Sequence, residues 1–147
     1  MKVKQVIVIR RNYYKKDGEK FSPRTGKLMA QAAHASVGAL LQRKTYGKGP
    51  VGHDPEYHET SYTLKAPISE ETYEWLKGNC KKVCLSVDEE EELMELALKA
   101  RDAGLPYYVV TDAGMTEFDG QPTVTALGIG PAKEYDIDKI TSHLKLL

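Results

Sequence analysis

The chain has 147 residues, with 21 Lys+Arg balanced by 21 Asp+Glu, 41% hydrophobic and 29% charged. That length suits one domain that buries its own core without staples, and the composition excludes wholesale disorder. No apolar run approaches the ~20 residues of a membrane span. The start, Met1 to Lys4, leads into a short apolar stretch with no small-residue cleavage site, so a cytoplasmic protein without a signal peptide is expected.

Neutrality is an average over two unlike parts. Residues 1–52 carry a balance of +10 and residues 53–147 a balance of −10. Such asymmetry fits either nucleic-acid contact or two surfaces that neutralise each other in the fold.

Val3 to Arg10 contains the β-branched run Val6-Ile7-Val8-Ile9 and reads as a strand covered on both faces. Residues 11–26, with Asn12, Asp17-Gly18, Ser22-Pro23 and Gly26, read as a basic loop. Lys27 to Lys44 reads as a helix, with Leu28, Met29, Ala32, Ala39 and Leu40 on its packing face. Lys27, Gln31, His34 and Gly38 form a polar stripe opposite. Residues 45–66 read as a long loop. Ser69 is placed to cap a short helix whose Tyr73, Trp75 and Leu76 pack inward.

Lys82 to Val87 reads as a second strand. Asp88 and Glu91 suggest a capping box for a helix reaching about Ala103, which Gly104 and Pro106 stop. Tyr107 to Thr111 and Thr123 to Ile129 read as further strands, the latter ended by Gly130-Pro131. Asp136 to Leu144 reads as a closing helix. This alternation predicts an α/β domain spanning 1–147, a small mixed, mostly parallel four-stranded sheet with helices on both faces. Cys80 and Cys84 on one strand would stand ~13 Å apart, beyond the ~7 Å reach of a disulfide. His53 and His58 add no zinc spacing, so free thiols and no metal are expected.

Several polar residues are candidates for chemistry. Lys27 at a helix start opposes the macrodipole, and with the free N–H groups there it makes an anion site. A plain solvated lysine is the alternative. Asp112 falls at the carboxyl end of a strand, where ligands gather in open α/β sheets, or it shapes an Asx turn. Thr116, Thr123 and Thr125 offer hydroxyls in the following region. His34 is either a general base or a helix-face histidine.

Together these residues resemble a known family. Gly26-Lys27-Leu28-Met29-Ala30-Gln31-Ala32-Ala33-His34-Ala35 resembles the first-helix signature of the type 2 peptidyl-tRNA hydrolases. Trp75-Leu76-Lys77-Gly78, Asp112-Ala113-Gly114-Met115-Thr116, the stretch Thr123 to Pro131 and the ending Ile137 to Leu146 resemble later segments in the same order. The resemblance implies hydrolysis of the ester between peptide and tRNA, which recycles tRNA, with no metal or organic cofactor. It implies peptidyl-tRNA as partner, with homodimers among the family. Lys27, Asp112, Thr116 and His34 take catalytic roles by this resemblance. Gln31, Thr123 and Thr125 bind substrate, to which the basic Lys20 and Arg24 are added.

The chain departs from the family pattern in three places. The connections at 11–26 and 45–66 are expanded, and Phe118 to Pro122 lengthens a turn. Met115 stands where an Arg is common, and Lys15, Lys16, Lys20 and Arg24 are expected to restore the lost tRNA contact. The competing reading is a tRNA- or partner-binding protein of the same fold with little turnover.

Overall fold

The computed structural model describes residues 1–48, 61–115 and 117–147. Its frame is a five-stranded sheet in the order β7-β8-β1-β6-β9. The strands are β1 (Val3–Arg10), β6 (Lys82–Val87), β7 (Tyr107–Asp112), β8 (Thr123–Lys133) and β9 (Lys145–Leu146). The sheet is mixed, as expected, but it has five strands and not four. The two-residue β9, too short to show a strand pattern, adds to the edge of β6. The balance of directions also differs. Only β1 and β6 are parallel, while β1–β8, β7–β8 and β6–β9 are antiparallel. Apolar runs report burial and not strand direction, so the sequence pattern left the direction of β8 open. Because β1 and β7 each run against β8, they point the same way and end on one edge.

Helices cover both faces. α1 (Thr25–Leu41) packs on one side, where Ile7, Ile9, Ala35, Val110 and Ala126 form a small core. α3 (Glu90–Asp102) and α4 (Glu134–Thr141) cover the other. There Val6, Val8, Leu93, Leu96, Leu127, Ile129 and Ile137 make the larger core. Alternate residues of β1 thus feed opposite cores, as a doubly covered strand requires.

α2 (Glu70–Lys77) starts as expected, with Ser69 Oγ accepting from the Thr72 N–H at 3.1 Å. Only Trp75 of its three expected anchors is buried, while Tyr73 and Leu76 are exposed. A two-turn helix lying on a sheet has room to bury only a narrow stripe. The capping box of α3 uses Glu89 and Glu92, one residue beyond the expected pair. Glu89 also accepts from Asn12 Nδ2 at 3.0 Å and Tyr14 Oη at 2.7 Å, tying the basic segment to that helix.

β8 does not stop at Gly130-Pro131 but runs through a cis peptide there to Lys133. The pairing with β1 shifts at this point, opposite Gln5. Such an irregularity is where a strand tolerates a proline that cannot donate to the ladder. The closing helix is correspondingly shorter and earlier than expected. The segment 11–26 holds a small hairpin, β2 (Tyr13–Tyr14) with β3 (Lys20–Phe21). In the segment 45–66, β4 (Thr45–Lys48) pairs with β5 (Tyr62–Lys65). Cys80 and Cys84 are free thiols. Among the described residues no helix is long and apolar enough to cross a membrane.

Candidate active site

The polar groups gather at the edge where β1 and β7 end and α1 begins. Two glycines let α1 lie close to the sheet. A Cβ on Gly128 would stand 2.3 Å from the Ala35 carbonyl oxygen, and one on Gly38 would enter the Tyr108 ring. The face that α1 turns to the sheet keeps Leu28, Ala32 and Ala39 but differs in part from the expected one. Met29, expected on the packing face, is 68% exposed, whereas Gln31 from the expected polar stripe is buried.

Gln31 is buried because it has partners. Thr125 Oγ1 donates to Gln31 Oε1 at 2.7 Å, and Gln31 Nε2 donates to Asp112 Oδ2 at 3.1 Å. An ionised carboxylate can only accept, so the amide nitrogen must face Asp112 and the amide oxygen must face Thr125. Lys27 Nζ reaches the same Asp112 Oδ2 at 2.5 Å, and the Gly114 N–H donates to Oδ1 at 2.8 Å. The Lys27 and Asp112 side chains are only 17% and 12% exposed. Burial works against charge on Asp112. The Lys27 ammonium, the Gly114 N–H and the Gln31 amide outweigh it and hold the carboxyl below its usual range.

Asp112 ends β7 and Gly114 follows in the left-handed region at φ +82°. A side chain at Gly114 would also collide with the Gln121 backbone, so glycine is required twice over there. The expected Asx turn and the expected charged site are therefore the same structure. One carboxylate oxygen shapes the loop and the other faces Lys27.

The remaining sequence candidates fall into different places. His34 is exposed on the next turn of α1 and lines a cleft with Gln31 and Asp112. Thr125 is fully buried beneath Gln31, so its position is that of a support and not of a surface that meets substrate. Thr123 is turned to the loop, its hydroxyl donating to the Gln121 carbonyl at 2.8 Å. Lys20 is exposed on β3, where its charge falls on Glu89. Arg24 immediately precedes α1 and bonds Glu117 at 2.7 Å. Thr116 lies outside the described residues.

The sequence pattern did not single out four residues that build the site's wall. Tyr13 and Phe118 stack with centroids 5.0 Å apart, and Phe21 packs against both. Lys27 Nζ lies 5.7 Å from the Phe118 ring centre. Tyr13 Oη donates to the Thr125 carbonyl at 3.4 Å, and burial pushes its hydroxyl up to about 12, so it stays a neutral donor. Glu117 accepts from the Arg24 backbone N–H at 3.2 Å and so serves the start of α1, which has no side-chain cap of its own. The one available signal was that both phenylalanines of the chain fall in polar connections, Phe21 and Phe118. The 11–26 connection and the lengthened turn at Phe118 are thereby joined beside Lys27.

Fold and site together define a small α/β enzyme with a lysine-held carboxylate at the carboxyl edge of its sheet. Known proteins narrow this. The model of the family Peptidyl-tRNA hydrolase PTH2 matches residues 3–147, and the chain belongs to that family. It is 42% identical over 144 residues to a peptidyl-tRNA hydrolase of Methanopyrus kandleri, covering 98% of this chain and 97% of that protein. It is 40% identical to one of Methanocaldococcus jannaschii, covering 83% and 87%. It is 34% identical to one of Methanothermobacter thermautotrophicus, covering 99% and 100%.

Proposed function

We propose that this chain hydrolyses the ester joining a peptide to the terminal ribose of tRNA, acting in the cytoplasm. Family membership supports the reaction, and the Lys27–Asp112–Gln31 arrangement is the observation that carries the roles. Ester hydrolysis needs a directed water and stabilisation of the oxyanion that develops on the carbonyl.

Asp112 accepts three hydrogen bonds from the protein, from Lys27, Gln31 and Gly114. A carboxylate offers about four acceptor positions, which leaves one to hold a water. Its lowered pKa makes it a weak base, so its role is to orient that water more than to strip it of a proton. Lys27 brings a positive charge to the place where the oxyanion or a terminal phosphate sits. Thr125 fixes Gln31, and Gln31 fixes the carboxylate. His34 stands at the same cleft as a hydrogen-bonding group for the 3′ end. Thr116 enters by family resemblance alone. Thr123, Lys20 and Arg24 are assigned to the tRNA side, and the homodimer likewise follows the resemblance.

The test is release of peptide from a peptidyl- or N-blocked aminoacyl-tRNA by the protein and by Asp112→Asn. The expected result is turnover by the protein and a loss of about 100-fold or more in the variant. Tight tRNA binding with no release by the unaltered protein supports a binding protein instead. Release that survives Asp112→Asn removes Asp112 from the mechanism.

A further inference from the structure

The sheet edge beside Asp112 is open. β7 is the terminal strand and pairs with β8 on one side only. Among the described residues, its outer side makes no backbone hydrogen bond. A cleft of about 510 Å³ follows this edge, between α1 and the β4–β5 arm. Val37, Leu41, Leu64 and Tyr108 give it apolar walls, and Asp112 and His34 stand at its polar end. Among the described residues, Lys44 is the only Lys or Arg that lines it. Arg24 lies outside that lining, and Lys27 meets the cleft only at its polar end, through Asp112.

This division matches the two halves of the substrate. A phosphate backbone needs cations, which are sparse in the cleft. A peptide needs main-chain partners and tolerant walls, which the cleft supplies. We propose that the peptide part of the substrate lies here as an extended segment, paired through its main chain with the outer edge of β7. The inference rests on the function proposed above and deepens it.

Strand direction fixes the orientation. β7 runs from Tyr107 toward Asp112. A peptide parallel to it brings its C-terminal carbonyl, the esterified one, to Asp112. An antiparallel peptide would bring its amino end there and could not react. The four steps from Tyr108 to Asp112 span ~13 Å, enough for about four peptide residues. Pairing through backbone groups reads the chain and not its side chains. An enzyme using this edge would accept peptides of many sequences.

The experiment is a substrate series on the full-length protein. N-acetyl-aminoacyl-, dipeptidyl- and tetrapeptidyl-tRNA are compared with a tetrapeptidyl-tRNA whose peptide amides are N-methylated. The expected result is a rise of at least tenfold in kcat/KM from one residue to four, carried by KM, and loss of that rise on N-methylation. Val37→Trp, an exposed position that would narrow the cleft, should raise KM for the tetrapeptidyl substrate more than for the single-residue one. Equal kcat/KM across the series, or no effect of N-methylation, overturns the inference while leaving the proposed reaction standing. Equal values together with a dimer that Val37→Trp dissociates would assign the edge to a second copy and also overturn it. No release from any substrate overturns the proposed function and this inference with it.

Discussion

Lys27 and Asp112 are 85 positions apart in the chain, yet the ammonium meets the carboxylate at 2.5 Å. The pair forms because two strands that end on the same edge bring a helix start and a strand end together. It fixes the electrostatics of everything placed on it.

The first consequence is a pH dependence. Asp112 has a folded-state pKa below its unfolded value. Its contribution to stability is therefore present above the ordinary aspartate range, near 3.9. It is lost as pH falls through the lower folded value. The acid limb of kcat/KM should lie below the ordinary carboxylate range. Lys27→Met should move that limb upward, because burial of Asp112 is then no longer offset by the ammonium. A pH–rate profile that is unchanged in Lys27→Met removes this coupling.

Thr125 predicts a loss of activity without direct substrate contact. Thr125→Val keeps the shape but leaves the buried Gln31 oxygen without its donor. A cost of about 1–3 kcal/mol in stability is expected, with a fall in kcat as Gln31 loses its fixed orientation. Thr125→Ser should recover most of both. Urea denaturation and single-turnover release, measured on both variants, check this.

Gly128 sets how closely α1 approaches the sheet. Gly128→Ala places a methyl 2.3 Å from the Ala35 carbonyl oxygen, so the helix must lift. Overpacking of this kind costs about 1–3 kcal/mol. The lift also strains the Thr125–Gln31–Asp112 chain of hydrogen bonds, so activity should fall along with stability. A denaturation midpoint equal to that of the unaltered protein would contradict the close packing.

The basic segment predicts a salt dependence. Lys15, Lys16, Lys20, Arg24 and Lys27 lie on the hairpin side of the site, within a segment whose balance is +10. If all five meet phosphates, log Kd for tRNA should change with log salt at a slope of about 3.5–4.5. Lys15 is paired with Glu19 at 3.5 Å in an exposed position, a weak bridge that phosphate can displace. A flat titration would assign these charges to solubility instead.

Much of the local structure was legible in the residues. The limits of β1 and β6 follow from their β-branched runs, and the start of α2 follows from Ser69. These are short-range effects, decided by neighbours within a few positions. The site was legible as a set of candidates, since helix starts and strand ends are where charged ligands are met. What each candidate does was less so. Gln31 and Thr125 are polar residues in an amphipathic pattern, and only their mutual contact tells that they are buried. The cluster of Tyr13, Phe21 and Phe118 joins segments about 100 positions apart, and no periodicity announces it.

The sequence by itself determined the helices and the long strands, their order, the charge split and the residues able to do chemistry, because these depend on side-chain type and near neighbours. The short hairpins at 13–21 and 45–65 and the edge strand β9 were not legible in it. The tertiary structure decided the direction of β8, the open edge of β7, the burial of Gln31 and the pairing of Lys27 with Asp112. Those depend on which surfaces meet across the fold. Close contact between α1 and the sheet at Gly128 is what turns a list of polar residues into one connected site.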